Sequence, residues 1–289
     1  MAIRIIVDSA SDYTKEEAEQ AGFLFAPMGI SFGEKAYWDG VNLTKEEFYH
    51  ELVDEGGYPV TSQPSPKLLM DLFQSVVDAG DSAIMITMAS ALSGTFQTAA
   101  MIAEDYAGKI AVINSGTVSI GERMIIREAV KIAEKAASLE EAADAIRERV
   151  RHLYLFGYLD QLEYLKRGGR ISPAMNFLAN LFSVKPIIHV CHDGLDLCKK
   201  ARGKQKAWKE LATLVKEMPG LEKDHLMYGY TGTSDAYVYE FMKQNTTLPA
   251  SPADRIQIGS TIGTHAGPGC LAIAFFADPT DMMSEDKQG

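Results

Sequence analysis

Residues 82–106 read SAIMITMASALSGTFQTAAMIAEDY, and this stretch gives the clearest indication of the fold class. Its first part, Ser82–Met88, is a short and almost uninterrupted apolar run, which is typical of a strand buried on both faces. Small and hydroxyl-bearing residues follow, and the segment from Gly94 to Tyr106 is predicted to be a helix. A buried strand followed at once by a helix is the repeating unit of a parallel α/β sheet.

The same alternation extends over the first half of the chain. Further strands are predicted at residues 3–7, 23–30 and 110–113. Helices are predicted at residues 15–21, 45–52, 66–79, 121–136 and 139–152. Thr14 and Thr44 are each followed three residues later by glutamate, which is the pattern of a capping box at a helix start. We therefore predict an α/β fold in which residues 1–151 form an open parallel sheet with helices on both faces.

The pattern changes near residue 152. A strand is predicted at residues 153–158, and an Asp-Gly pair at 193–194 between two extended runs predicts a hairpin. Strands and helices no longer alternate regularly after this point. We predict a second, smaller α/β domain with a mixed or antiparallel sheet over residues 152–282, and a frayed tail at residues 283–289.

Composition narrows the function classes. The 289 residues carry a formal net charge of −11, which disfavours general nucleic-acid binding. The three cysteines are an odd number without the spacing of a disulfide framework, which indicates a reducing compartment. The apolar run at 3–7 contains Arg4 and meets Asp8 at once, unlike a signal peptide, and the run at 271–277 is far shorter than the roughly 20 residues of a membrane span. A soluble, cytoplasmic protein is expected.

Three small polar clusters lie at predicted strand or helix ends, at residues 61–66, 90–95 and 263–269. The second follows a buried strand, where open α/β sheets bind ligands, and its helix start offers unpaired N–H groups. Ser93 and Thr95 add hydroxyl groups, and Gly94 admits a close approach to the backbone. These features predict a site for a carboxylate or phosphate. Helix capping alone would also account for Ser93.

Taken in chain order, five stretches resemble the DegV family. They are DSASD at 8–12, TSQPSP at 61–66, SALSGT at 90–95, LEYLKRGGRI at 162–171 and GTHAGPG at 263–269. The resemblance implies a bacterial fatty-acid-binding protein that serves phospholipid synthesis as the acyl-carrying partner of a fatty acid kinase. It also implies that a long-chain fatty acid lies between the two domains as the ligand, with no cofactor and no catalytic residue.

The resemblance further implies which residues meet the fatty-acid carboxylate. The matching positions are Thr61, Ser62, Ser93, Gly94, Thr95, Thr264 and His265. Glycines surround His265, so we expect this histidine to lie in a loop. Two positions depart from the family pattern: Asn114-Ser115 stands where Asp-Ser is common, and Ala266 where threonine is usual. The second departure removes a hydroxyl group directly beside His265, because alanine has none.

An acyl tail needs an apolar channel. Residues 174–182 form a predicted helix that is apolar around most of its surface, and the 13 methionines suit irregular ligands. An ordinary buried helix and core methionines would give the same pattern. The sequence therefore does not assign the channel wall.

One basic segment, residues 199–209, carries six cations among eleven residues and no acid. A solvated face is one interpretation, and docking of an acidic partner is the other. With the resemblance, the second interpretation makes Arg170, Arg202, Lys204 and Lys206 candidate contacts to the kinase, and it adds a transient contact with anionic membranes. His189, Cys191, His192 and Cys198 lie close together in sequence, but strand alternation points them to different faces, so we predict no metal site.

Two other function classes compete with the carrier. A hydrolase acting on a lipid ester would use Ser93 as nucleophile and His265 as base, yet Ala91 stands where a Gly-x-Ser-x-Gly elbow has its first glycine. A dinucleotide-binding protein would need Gly-x-Gly-x-x-Gly after the first strand, and this pattern is missing.

Overall fold

The computed structural model describes residues 2–106, 108–171, 184–248 and 255–280. The strands in these ranges are β1 (Ile3–Asp8), β2 (Leu24–Ala26), β3 (Gly29–Phe32), β4 (Lys35–Trp38), β5 (Pro59–Ser62), β6 (Ser82–Thr87), β7 (Ile110–Asn114), β8 (Leu153–Tyr158), β9 (Val184–Cys191), β10 (Gly194–Arg202), β11 (Leu226–Tyr230), β12 (Arg255–Gln257) and β13 (Leu271–Phe276). The helix predicted at 174–182 and the tail at 283–289 lie outside the described residues.

The α-helices in the same ranges are α1 (Lys15–Gln20), α2 (Lys45–Tyr49), α3 (Pro66–Asp78), α4 (Thr95–Ala103), α5 (Ser119–Ala133), α6 (Leu139–Val150), α7 (Glu163–Arg167), α8 (Lys204–Lys216), α9 (Ala236–Gln244) and α10 (Ser260–Ala266). A π-helical turn, His50–Asp54, continues α2, and short 3₁₀ turns cover Ser9–Ser11 and Glu104–Tyr106. The capping boxes predicted at Thr14 and Thr44 are both present.

The first half contains a parallel sheet in the order β2-β1-β6-β7, as predicted. Helices α3 and α4 cover one face, where Ile6 and Met85 of the sheet pack against Phe73. Helices α5 and α6 cover the other face. Because both faces are buried, the central strands carry continuous apolar runs rather than an alternating pattern.

The second half contains a six-stranded sheet in the order β10-β9-β8-β13-β11-β12. All its neighbours are antiparallel except β11 and β12, so the predicted mixed sheet is confirmed, as is the hairpin of β9 and β10. Helices α8 and α9 cover its outer face around the fully buried Trp208.

A third sheet, in the order β4-β3-β5, was not predicted. The single strand expected at residues 23–30 is wrong: β2 ends at Ala26 and β3 begins at Gly29. Pro27 stands between them, and proline has no backbone N–H to continue a ladder. The chain therefore leaves the parallel sheet and pairs with β4 and β5 instead.

Helix α5 lies between the parallel sheet and the six-stranded sheet and contacts strands of both. One apolar core runs through this layer, from Val7 and Ile84 on one side to Leu155 and Ala272 on the other. The boundary at residue 151 stays a prediction. The shared core places the carboxyl ends of β1 and β6 beside the second sheet, and this arrangement leaves a cavity between the two halves of the chain.

Candidate functional site

The cavity holds about 860 Å³ of space between atoms, part of it open to solvent. Most of its wall is apolar and comes from both sheets and the intervening segments. These wall residues are Met28, Met88, Leu92, Val118, Leu155, Gly157, Leu159, Leu165, Ile188, Val190, Leu195, Ile258, Ile262, Ala266, Cys270 and Ala272. The polar lining residues are Thr61, Ser62, Gln63, Ser93, Ser119, Arg170, Thr261 and His265. The site thus combines a long apolar wall with a small number of hydrogen-bonding groups, which is the usual composition of a small-molecule pocket.

Four of the predicted site residues line the cavity: Thr61, Ser62, Ser93 and His265. Thr61 is the third residue of β5, and its Oγ1 lies 3.1 Å from Nε2 of His265 on α10. This contact joins residues that are 204 positions apart in the chain and belong to different halves. The structure therefore brings residues of these two clusters into contact.

The start of α4 is the third element at the polar end of the cavity, after β5 and α10. Oγ of Ser93 lies 2.9 Å from Oγ1 of Thr95 and accepts a hydrogen bond from the Thr95 backbone N–H at 3.3 Å. Gly94 occupies the N-cap position, and a Cβ there would lie 2.5 Å from Oε1 of Gln63. The absence of a side chain at Gly94 therefore lets Gln63 cover the start of the helix.

Gln63 is a lining residue that sequence reasoning missed. Its Nε2 donates to Oγ1 of Thr98 on α4 at 2.9 Å, so it ties the end of β5 to the first turn of that helix. The available signal was its position in the 61–66 cluster, directly after Thr61 and Ser62. Glutamine is uncharged, and nothing in the sequence distinguished Gln63 from a glutamine that faces solvent.

His265 does not lie in a loop, so that prediction is wrong. It is the sixth residue of α10, whose glycines were mistaken for loop formers. Gly263 is needed for packing, because a Cβ there would lie 2.7 Å from the Tyr49 hydroxyl and 2.8 Å from the Phe48 ring. Gly267 ends the helix with φ of +69°, a left-handed conformation that favours glycine.

The imidazole of His265 is held neutral. Burial lowers its pKa to about 4, and the positive charge of Arg170 acts in the same direction. Its Nδ1 is buried and has no hydrogen-bond partner within the parts of the chain that the structure describes. A ligand at this end of the cavity therefore meets neutral hydrogen-bonding groups at Thr61, Ser93 and His265.

The other residues predicted to bind the ligand, Gly94, Thr95 and Thr264, lie around the cavity rather than in its wall. Oγ1 of Thr264 donates to the Ser260 carbonyl at 2.8 Å, and Thr95 is buried against Ser93. Arg170 lines the mouth: its Nε donates to the Leu92 carbonyl at 3.2 Å and its Nη1 to that of Gly168 at 2.7 Å.

The basic segment lies apart from the cavity wall, on the end of β10 and the start of α8. Arg202, Lys204 and Lys206 are exposed. The Lys204 amine lies 4.3 Å from the centre of the Trp208 ring, and Lys199 pairs with Glu210. The segment therefore presents free positive charge around a packed aromatic side chain.

A layer of buried acids lies behind the cavity and was not predicted as a unit. Asp8, Asp12, Asp39 and Glu122 are each at most 3% exposed. Asp8 accepts the backbone N–H groups of Ala10 at 2.9 Å and Met88 at 3.0 Å. Burial raises the pKa of Asp8 to about 7 and that of Asp12 to about 6, and it raises the pKa of Glu122 well above its usual range.

No group of three or more histidine, cysteine or acidic side chains in the described ranges is arranged to hold a metal ion. In the same ranges, no helix is both long and apolar enough to cross a bilayer.

Fold and cavity together define a two-sheet α/β protein with an apolar pocket between its halves and neutral hydrogen-bonding groups at one end. The model of the DegV family, described as uncharacterised proteins, matches residues 2–278. A DegV domain-containing protein of Caldanaerobacter subterraneus subsp. tengcongensis is 33% identical over 280 residues, which are 94% of this chain and 98% of that protein. The chain belongs to the DegV family.

Solved structures with the same fold include proteins that bind fatty acids. A fatty-acid-binding DegV family protein from Thermus thermophilus superimposes with a TM-score of 0.83 at 26% identity, covering 96% of this chain and 100% of that one. A stearic-acid-binding protein from Eubacterium ventriosum gives 0.82 at 26% identity, covering 95% and 98%. DegV of Bacillus subtilis, a fatty acid binding protein, gives 0.79 at 25% identity, covering 96% and 100%.

Proposed function

We propose that this protein binds one long-chain fatty acid in the cavity, with the carboxylate at Thr61, Ser62, Ser93 and His265 and the tail along the apolar wall. The observation that carries the proposal is the Thr61–His265 contact at the end of an otherwise apolar cavity. The fatty-acid-binding proteins of the same fold support it.

The tail supplies most of the binding free energy. Each methylene moved from water into the wall contributes about 0.8 kcal/mol, so fourteen of them contribute roughly 11 kcal/mol before the cost of ordering the chain. Hydrogen bonds to the head group contribute about 1–3 kcal/mol each. The head group therefore sets the orientation of the ligand, and the tail sets most of the affinity.

A carrier explains the polar end better than a hydrolase does. Ser93 is hydrogen-bonded to Thr95, and His265 contacts Thr61, so the two candidate catalytic groups are not joined in the described structure. An imidazole whose pKa is lowered to about 4 is also a weak general base near neutral pH. We therefore assign no catalytic residue to this chain.

The finer proposal is that the protein presents the bound carboxylate to a separate fatty acid kinase, which makes the acyl phosphate for phospholipid synthesis in the cytoplasm. Arg170 at the cavity mouth and the exposed cations Arg202, Lys204 and Lys206 would face an acidic surface of that kinase. Complementary charge of this kind raises the association rate more than the final affinity. The same cations would support a transient contact with anionic membranes.

Native mass spectrometry and lipid extraction of the purified protein test the proposal. We expect one fatty acid per chain, released only on denaturation. In a second arm, changing Arg202 and Lys206 to Glu should slow acyl-phosphate formation by an added kinase at low salt and leave the bound lipid in place. A protein that arrives empty and takes up no added fatty acid would overturn the proposed function.

A further inference from the structure

The wall of the cavity that carries His265 belongs to a short helix whose start is held by the other half of the chain. Segment 257–266 contributes Ile258, Thr261, Ile262, His265 and Ala266 to the cavity. Its helix, α10, has only seven residues. A helix of this length is not stable by itself in water, so tertiary contacts must keep it in place.

Two buried carboxylates from the N-terminal half bind the first backbone N–H groups of this segment. Oδ1 of Asp12 accepts the N–H of Gly259 at 2.7 Å. Oδ2 of Asp39 accepts both the N–H of Thr261 at 3.1 Å and its hydroxyl at 2.5 Å. Gly259 is the N-cap residue and has no side chain of its own to serve these groups. Negative charge at a helix start is also electrostatically favourable.

The packing around Gly259 shows how closely the two acids approach. A Cβ at this position would lie 3.3 Å from Oδ1 of Asp12 and 3.8 Å from Oδ1 of Asp39. Two further bonds hold the preceding residues: Lys45 donates to the Gln257 carbonyl at 2.8 Å, and the Tyr49 hydroxyl donates to that of Ile258 at 2.9 Å. The N-terminal half thus fixes the segment from residue 257 to the first turn of α10.

We propose that Asp12 and Asp39 are positioning residues of the ligand site, which act by holding α10, and hence His265, Thr261 and Ile262, against the cavity. The inference rests on the proposed function for its ligand, a fatty acid. When either bond is lost, α10 occupies other positions for part of the time. The apparent Kd then rises in inverse proportion to the fraction of molecules in which the wall is complete.

The two acids differ in a way that makes the test specific. Both bonds to Asp39 reach the same oxygen, so the amide oxygen of Asp39→Asn can accept both. Asp12 uses both oxygens, one for Gly259 and the other for the Ser119 hydroxyl at 2.5 Å. Asp12→Ala removes the acceptors of both donors, whereas Asp12→Asn can keep both contacts, because its amide N–H can donate to the Ser119 hydroxyl. Asp39→Ala removes both bonds to Thr261.

Two measurements on the full chain test the inference: hydrogen–deuterium exchange of the peptide covering residues 257–267, and the Kd for a long-chain fatty acid. For Asp39→Ala we expect faster exchange in this peptide, unchanged exchange in the parallel sheet, and a Kd raised about tenfold. Asp39→Asn should restore both values. Asp12→Ala should raise the Kd about fivefold and carries the test if Asp39→Ala does not fold.

The outcomes separate this inference from the proposed function. If the variants exchange uniformly faster throughout the chain while their folded fraction binds fatty acid with the original Kd, the acids are structural only and the inference is wrong. If the unchanged protein binds no fatty acid, the proposed function fails, whereas local exchange at 257–267 still reports whether Asp12 and Asp39 position α10.

Discussion

Two polar regions lie close together in this protein, and their hydrogen bonding differs. One is the polar end of the cavity, called the head end, with Thr61, Ser62, Ser93 and His265. The other is the acidic layer behind it, with Asp8, Asp12, Asp39 and Glu122. In the acidic layer, Asp8, Asp12 and Asp39 accept bonds from backbone N–H groups of the protein itself. At the head end, His265 keeps a buried Nδ1 without a partner in the described structure, and Ser62 is exposed at the cavity rim.

The difference separates groups that build the fold from groups left to bind a ligand. A buried donor or acceptor without a partner costs free energy, and each region contains such groups among the described residues: Nδ1 of His265 at the head end and the carboxyl oxygens of Glu122 in the acidic layer. The charges differ as well, because the head end has neutral groups at Thr61, Ser93 and His265 and the cation Arg170 nearby, whereas the acidic layer concentrates carboxyls. Substitution of Asp8, which holds only the N-terminal half, should therefore change stability. Substitutions of Asp12 and Asp39 should change binding through α10, and those at the head end should change binding directly.

The largest effect is expected from Asp8→Ala, which leaves the N–H groups of Ala10 and Met88 without their acceptor. Both groups are buried, so the free energy of unfolding should fall by about 3 kcal/mol. Asp81→Ala is the matched control, since Asp81 accepts the Ala2 N–H at 2.9 Å in an exposed position and should cost less than about 1 kcal/mol. Equal losses in urea unfolding would show that the acidic layer has no special role in the fold.

An intermediate effect, on binding alone, is expected from His265→Ala. Loss of the imidazole removes the partner of Thr61 and one contact to the carboxylate, so the Kd for a long-chain fatty acid should rise about tenfold to a hundredfold. Thr264→Val is the control on the same helix, because the Thr264 hydroxyl donates to the Ser260 carbonyl of α10 and Thr264 is not among the lining residues in the described structure. If Thr264→Val weakened binding as much as His265→Ala, the assignment of Thr264 to a position outside the cavity wall would be wrong.

The sequence predicted the regular elements better than the site. The strand at 82–88 and the helix after it are readable because burial on both faces leaves a continuous apolar run. The four lining residues Thr61, Ser62, Ser93 and His265 were assigned from the resemblance to the DegV family, whose motifs coincide with clusters of hydroxyl groups and glycines at element ends.

The errors come from contacts between distant parts of the chain. Gly263 looks like a loop residue, yet it belongs to a helix because Phe48 and Tyr49 pack directly against it. The roles of Asp12 and Asp39 depend on residues 259 and 261, more than 200 positions away. Neither local propensity nor the spacing of polar residues carries this information.

The smallest effect at pH 5 is expected from Glu122→Gln. This effect grows with pH, and its sign is set by the pKa of Glu122. This carboxyl lies beside Asp8, and neither of its oxygens has a hydrogen-bond partner among the described residues. Burial first, and the charges of Asp8 and Asp12 second, raise its pKa well above the ordinary glutamate value of 4.5. The folded protein therefore keeps the proton on Glu122 at a pH where the unfolded chain has released it.

The stability that Glu122 contributes is thus fully present below about pH 4.5 and is lost as the pH rises toward the raised pKa of the folded state. Glutamine has the same shape and does not titrate. The test is the free energy of unfolding of both proteins, measured in urea from pH 4 to 9. Above pH 4.5, Glu122→Gln should become more stable than the unchanged protein, and the difference should grow by up to about 1.4 kcal/mol per pH unit. A difference that stays constant over this range would mean that Glu122 is ionised in the folded protein, and the acidic layer would then need a countercharge.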